Sequence, residues 1–201
     1  VGRRRDRQAL QRMIEQVVGI LARLGLQKGA CRFPDWQTLD QLVQLVQMPD
    51  AAAAHNGTMR TRPQDYGPQV RARLEVGHFI PAVDHLTAMR ARGTYLQRTL
   101  DETFNGIDIA ILPILADPLP TIAELDVAGG PKLQAAMGRV VKYTRPINYL
   151  GLPTLALPIP RGGGLPNGIQ LVGRPYSEAL LLAIGHAYQR EVPPEIARPL
   201  R

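Results

Sequence analysis

The run IDIAILPIL, Ile107 to Leu115, is among the longest apolar stretches of the chain, and its length decides what it can be. A bilayer span needs roughly 20 apolar residues, so this run cannot be one. Its apolar residues are continuous rather than alternating, which is the pattern of a short strand buried on both faces. Such a strand needs helices to cover it. Fold class therefore turns on whether helical periodicity flanks it.

It does. Leu10, Met13, Ile14, Val17, Val18, Leu21 and Leu24 recur at three- and four-residue spacing, and Gly25 offers a left-handed stop. A short extended piece is expected around Cys31 to Phe33, then a turn at Pro34-Asp35 and a helical run from Thr38 into Ala51–Ala54, with Pro49 breaking or restarting it. MRTRPQDYGP reads as a loop, and Gln69 to Val76 as a brief helix closing at Gly77. Pro81 suits the first turn of a long helix that presents Val83, Leu86, Met89, Leu96, Leu100 and Phe104 inward and ends at Asn105-Gly106. Ala116 to Gly130 reads as connection and Lys132 to Val141 as a helix. Leu152 to Ile159 and Gly168 to Val172 follow as strands joined through RGGGLPNG. Ser177 is placed to N-cap a last helix with Leu181, Leu182, Ile184 and Tyr188 inward, which Pro193-Pro194 closes. Strands interleaved with helices predict an α/β architecture.

Net charge is +7, carried by Arg far more than by Lys, whose only copies are Lys28, Lys132 and Lys142. The arginines are dispersed along RTRP, VRAR and MRAR segments without a nucleic-acid-binding motif, so solvated helix faces are expected and nucleic acid is not the expected partner. No apolar signal core follows VGRRRDRQ, and the lone Cys31 can form no intrachain disulfide. A soluble, cytoplasmic protein without membrane attachment is expected. The chain begins at Val1 and holds a single serine, Ser177, so it is expected to be a piece of something larger.

No catalytic centre stands out. The glycines of RGGGLPNG are consecutive and precede strand-like residues, unlike a phosphate loop, which opens a helix with Gly-Lys-Ser/Thr. PYSEA around Ser177 is not a G-x-S-x-G elbow, and a helix cap accounts for that serine. Nothing marks Cys31 and a histidine as a nucleophilic pair, and His78 and His85 lack a third ligand at metal spacing, so neither metal nor cofactor is expected. Asp108, Asp84 and His85 read as strand-entry and helix-face residues, with a polar network as their other use.

TRPINYLGLPTLALPIP carries the pattern T-x-x-x-N-x-x-G-x-P at Thr144, Asn148, Gly151 and Pro153, and GLPNGIQLVGRP follows from Gly164 to Pro175. Together with AAAAHNGTMRTRPQDYGPQVRARLEVGHFIPAVDHLTAMRAR and NGIDIAILPIL, this resembles the carboxy-terminal portion of the amidase signature family, from about Leu10 to Glu191. The resemblance implies one partial domain over residues 1–201, part of a large mixed β-sheet sandwiched by α-helices. It implies hydrolysis of carboxamide bonds of a small-molecule substrate by a Ser, a second Ser in a cis peptide and a Lys, with backbone N–H groups holding the oxyanion. That machinery belongs to the amino-terminal half, which is then the implied partner. One serine cannot supply two, so no catalytic residue carries over and the chain is expected to be inactive alone. Thr144, Asn148 and Gly151 are the candidate positions at the edge of the substrate cavity; the other reading has them fixing the entry of a strand. Where the family has threonines around Pro113, this chain has Leu112 and Ile114. The catalytic subunit of a glutamine-dependent tRNA amidotransferase is the rival within the family, and a non-catalytic basic binding module the rival outside it. A severed fragment is expected to expose strand edges and apolar faces, and to aggregate or expand.

Overall fold

The computed structural model describes residues 2–115, 120–125, 130–159 and 167–192. Much of RGGGLPNG, parts of the link after Leu115 and the Pro193-Pro194 stop lie outside them. Along the chain run α1 (Gly2–Arg23), α2 (Trp36–Thr61), α3 (Pro68–Val76), α4 (Ala82–Glu102), β1 (Ile109–Pro113), α5 (Ile122–Leu125), α6 (Gly130–Val140), α7 (Arg145–Leu150), β2 (Thr154–Ile159), β3 (Asn167–Gly173) and α8 (Glu178–Glu191). They divide into two compact units: Val1–Arg32 with Leu100–Pro118 and Gly151–Arg201, and Phe33–Thr99 with Leu119–Leu150.

The first unit holds the sheet, in the order β1-β3-β2. Both pairings are antiparallel, Ile111 facing Leu171 and Leu157 facing Ile169. Ile169 and Leu171 point into a core built with Leu157 and Ile159 of β2, Val17, Ile20 and Leu21 of α1, and Leu181 and Tyr188 of α8. The alternate residues Gln170 and Val172 are buried as well, and Gln170 Nε2 donates to the Pro113 carbonyl at 3.2 Å. The strand buried on both faces is therefore β3. The run IDIAILPIL does form a strand, but among the described residues β1 pairs on one side only, and just Ala110 and Pro113 in it are fully buried.

Helix α1 stops as its sequence predicts, with Gly25 at φ 95. In α8 the inward stripe is Leu181, Ile184, Gly185 and Tyr188, at the i, i+3, i+4, i+7 spacing of one helix face. Leu182 lies one residue off that stripe and is 62% exposed, contrary to expectation. Ser177 does occupy the N-cap position, yet its Oγ donates back to the Arg174 carbonyl at 2.7 Å instead of accepting a helix N–H. The segment from Leu26 to Phe33, which holds the piece read as extended around Cys31 to Phe33, is neither helix nor paired strand.

In the second unit, α2 runs through Pro49 without interruption, where the sequence predicts a break. The proline removes the N–H that would have bonded the Leu45 carbonyl four residues earlier. His85 Nδ1 lies 3.0 Å from that same carbonyl. A carbonyl can only accept, so the imidazole donates, and α4 supplies the hydrogen bond that α2 cannot make for itself. Replacing His85 by Leu leaves the Leu45 oxygen unsatisfied, and urea unfolding should show a loss of about 1–3 kcal/mol. In a Pro49→Ala background the restored N–H should absorb most of that loss. Equal losses in both backgrounds would contradict the assignment.

Helix α4 follows its pattern only toward its end, where Leu96 and Leu100 are half-buried and Phe104 beyond it is fully buried. Val83, Leu86 and Met89 are 73%, 50% and 46% exposed, while Ala88 and Thr99 are buried. The inward side is the one with the small residue: Tyr149 Oη donates to the Ala88 carbonyl at 2.5 Å, an approach that a larger side chain at position 88 would obstruct. The segment read as a loop from Met59 is partly helical, since α2 extends to Thr61 and Pro63–Asp65 form a 3-10 turn. The helices expected at Gln69 to Val76 and Lys132 to Val141 are present as α3 and α6.

Candidate functional site

The second unit contains a cleft of about 360 Å³, within the range of small-molecule sites. Helix α2 lines it with Val43, Val46, Gln47 and Asp50, again the i, i+3, i+4, i+7 set of one helix face. Helix α3 contributes Arg73, and α4 contributes Met89 and Arg92. The last wall is Val141 and Thr144 followed by Arg145, Asn148 and Tyr149 of α7.

Two of these side chains are held from behind. Arg145 is buried to 9% exposure, and its Nη1 donates to Asp40 Oδ1 at 3.2 Å. Tyr149 is 4% exposed and anchored to Ala88. Burial pushes the Tyr149 phenol above its ordinary value, the neighbouring Tyr95 adds to the rise, and the positive charge of Arg92 opposes it. Arg73 and Arg92 themselves form no hydrogen bond or ion pair among the described residues.

Two of the three residues singled out from the sequence, Thr144 and Asn148, meet on this wall. Thr144 stands just before α7 and Asn148 within it, and α7 leads through Gly151 toward β2: the Asn148 backbone N–H donates to the Thr144 carbonyl at 3.0 Å, and Thr144 Oγ1 to the Val141 carbonyl at 3.3 Å. Gly151 belongs to the other unit and has φ +70, the left-handed conformation that ends a helix such as α7. Sequence reasoning does not find Asp50, Arg73, Arg92 or Arg145. Arg73 and Arg92 sit in VRAR and MRAR segments that look like any solvated helix face, and only the packing of α3 and α4 turns them toward one cleft.

Cys31 is exposed, and its thiol is raised by partial burial of the sulfur, which leaves it less nucleophilic at neutral pH. Among the described residues no group of three His, Cys, Asp or Glu side chains is placed to hold a metal, and no helix is long and apolar enough to cross a membrane.

The family model described as Amidase matches residues 4–182. The chain belongs to the amidase family. It is 35% identical over 146 residues to a glutamyl-tRNA(Gln) amidotransferase subunit from Chloroflexus aggregans, covering 70% of this chain and 28% of that protein. It is 34% identical to a putative amidase, AmiD, of Mycobacterium tuberculosis, covering 70% and 29%, and 35% identical to an amidase of Pseudomonas putida, covering 72% and 31%. A crystal structure of an amidase superposes with a TM-score of 0.76 at 24% identity, over 91% of this chain and 42% of that one. A bacterial aryl acylamidase of the amidase signature family gives 0.69 at 17% identity, over 92% and 41%. The α/β fold is thus that of amidase signature enzymes, and the chain spans less than a third of the length of these curated relatives.

Proposed function

We propose that this chain is the carboxy-terminal part of a hydrolase of carbon–nitrogen bonds in small-molecule carboxamides. It works joined to the amino-terminal half of the amidase fold and is inactive without it. The observation that carries this reading is the family match over nearly the whole chain at only 28–31% of the length of these relatives. The single serine supports it, because Ser177 is committed to the Arg174 carbonyl at the start of α8 and cannot supply a Ser–Ser–Lys triad. In this reading the cleft is the rim of the substrate cavity, with Thr144 and Asn148 on its wall and Gly151 setting the chain direction beyond it. An exposed thiol at Cys31 suits a reducing cytoplasm. The partners are the amino-terminal half and the amide, rather than a membrane or nucleic acid.

A second reading, the catalytic subunit of a glutamine-dependent tRNA amidotransferase, is favoured by the 35% identity to the Chloroflexus protein. One assay separates them. The natural protein, purified from its source and sized against the 22.1 kDa of this chain, is offered a panel of simple carboxamides, and separately glutamine with mischarged tRNA. Ammonia release from the simple amides by a larger protein, with none from the 201-residue chain alone, is the expected result. Turnover by the isolated chain would overturn the proposal. Amidation of the tRNA without turnover of simple amides would move the assignment to the second reading.

A further inference from the structure

Three guanidinium groups line the cleft against the single carboxylate of Asp50. Arg145 is already matched by Asp40, so its charge is spent behind the wall. Arg73 on α3 and Arg92 on α4 are not matched by any described residue, and together they carry one more positive charge than Asp50 can balance. They reach the cleft from different helices, so the positive charge is a property of the cleft and not of one helix face. Arg92 and Tyr149 of α7 line the same cleft, which puts that charge beside the α7 wall. The rest of the lining sets the apolar Val43, Val46, Met89 and Val141 beside the neutral Gln47, Thr144, Asn148 and Tyr149, none of which carries a charge to balance the arginines.

We infer that the cleft binds a small molecule with an apolar body and a carboxylate, the carboxylate held by Arg73 and Arg92 and the body lying on the valines and Met89. A guanidinium offers paired N–H donors whose spacing matches the two oxygens of a carboxylate, and such charge-assisted bonds are about twice as strong as neutral ones. A neutral ligand of the same shape would bury two arginines without returning them a partner. An ammonium ligand would meet Asp50, but would also meet the excess positive charge. If the cleft is the rim of an amide-hydrolase cavity, the inference rests on that reading and narrows its substrate to carboxamides that carry an acid group.

The test is titration calorimetry on the intact natural protein with 4-phenylbutyrate, 4-phenylbutanol and 4-phenylbutylamine, three probes that share one apolar body. The carboxylate should bind at least about tenfold more tightly than the alcohol, and the amine should be weakest. Arg73→Gln and Arg92→Gln should each weaken the carboxylate about tenfold and leave the alcohol unchanged. Arg73→Lys and Arg92→Lys keep the charge and should fall between, which guards against a loss due only to misfolding. Equal affinity for carboxylate and alcohol, unchanged binding in both Gln variants, or no binding of any probe would each overturn the inference. Hydrolysis of simple neutral amides alongside any of these results would sink the acid-group inference while leaving the hydrolase reading intact.

Discussion

Gly77→Ala should destabilise the second unit by about 3 kcal/mol, near the upper end of what overpacking costs. The glycine has φ −60 and ψ −26, ordinary helical values, so its backbone conformation does not require it. Space does. A Cβ there would overlap the Met48 carbonyl oxygen and lie 2.7 Å from its carbon and 2.6 Å from the Ala52 Cβ. Two of those three atoms are backbone, so no rotamer change can relieve the contact, and α2 itself would have to move away from the end of α3. Movement at Met48 also disturbs the turn in which His85 covers the carbonyl orphaned by Pro49. Trp36 reports on this unit: its indole Nε1 donates to the Lys142 carbonyl at 3.0 Å and its ring packs on Phe33 and Tyr143. The expected result is a lower urea midpoint in Trp36 fluorescence. Gly57→Ala and Gly93→Ala, in open positions with nothing within 4 Å, should instead stabilise by about 0.5–1 kcal/mol. A Gly77→Ala midpoint equal to that of the wild type would show that the two segments do not pack this closely.

Local sequence signals are legible where a single residue type has a single physical use. Gly25 ends α1 in the left-handed conformation, the period running from Met13 to Leu24 forms the buried face of a helix, and Ser177 marks where α8 begins. They fail where the answer depends on a partner far along the chain. Pro49 signals a helix break, and only His85, on a different helix, makes the unbroken α2 tolerable. The apolar stripe of α4 signals an inward face, but the close approach of Tyr149 to Ala88 selects the side with the small residue and leaves Val83, Leu86 and Met89 exposed. Gly77 does close α3 as its sequence signals, but its close approach to the Met48 backbone is invisible in the sequence.

The cleft follows the same division. A motif finds Thr144 and Asn148, because the pattern around Gly151 and Pro153 is long and specific. No motif finds the charged residues, because an arginine facing a cleft and an arginine facing water occupy identical positions in a helical pattern. Arg145 differs from its neighbours only through Asp40, 105 positions earlier. Ion pairs and unmatched charges are properties of packing, and no local period encodes them.

Tyr188 gives the corresponding test in the first unit. Its ring is fully buried among Leu157, Ile159, Ile169 and Leu171, and its hydroxyl donates to the Pro158 carbonyl at 3.1 Å. Tyr188→Ala should cost about 3–5 kcal/mol, because it removes the largest fully buried side chain among the described residues from a core that closes only partly over the gap. Tyr188→Phe keeps the ring and loses only the hydrogen bond, about 1 kcal/mol. The two variants also differ in what pH can do. Burial raises the Tyr188 phenol above its ordinary value of about 10, so the folded state holds that proton more tightly than the unfolded chain does. Its contribution is therefore complete below about pH 10 and is lost as pH rises from there through the folded value. Thermal unfolding followed by far-UV circular dichroism should show the wild type losing stability above about pH 10 more steeply than Tyr188→Phe, with the two curves parallel at neutral pH. Tyr149, also raised by burial, titrates in both proteins and cancels in the difference. Parallel curves throughout would mean that the Tyr188 hydroxyl reaches water in the folded state, contrary to its position between α8 and β2.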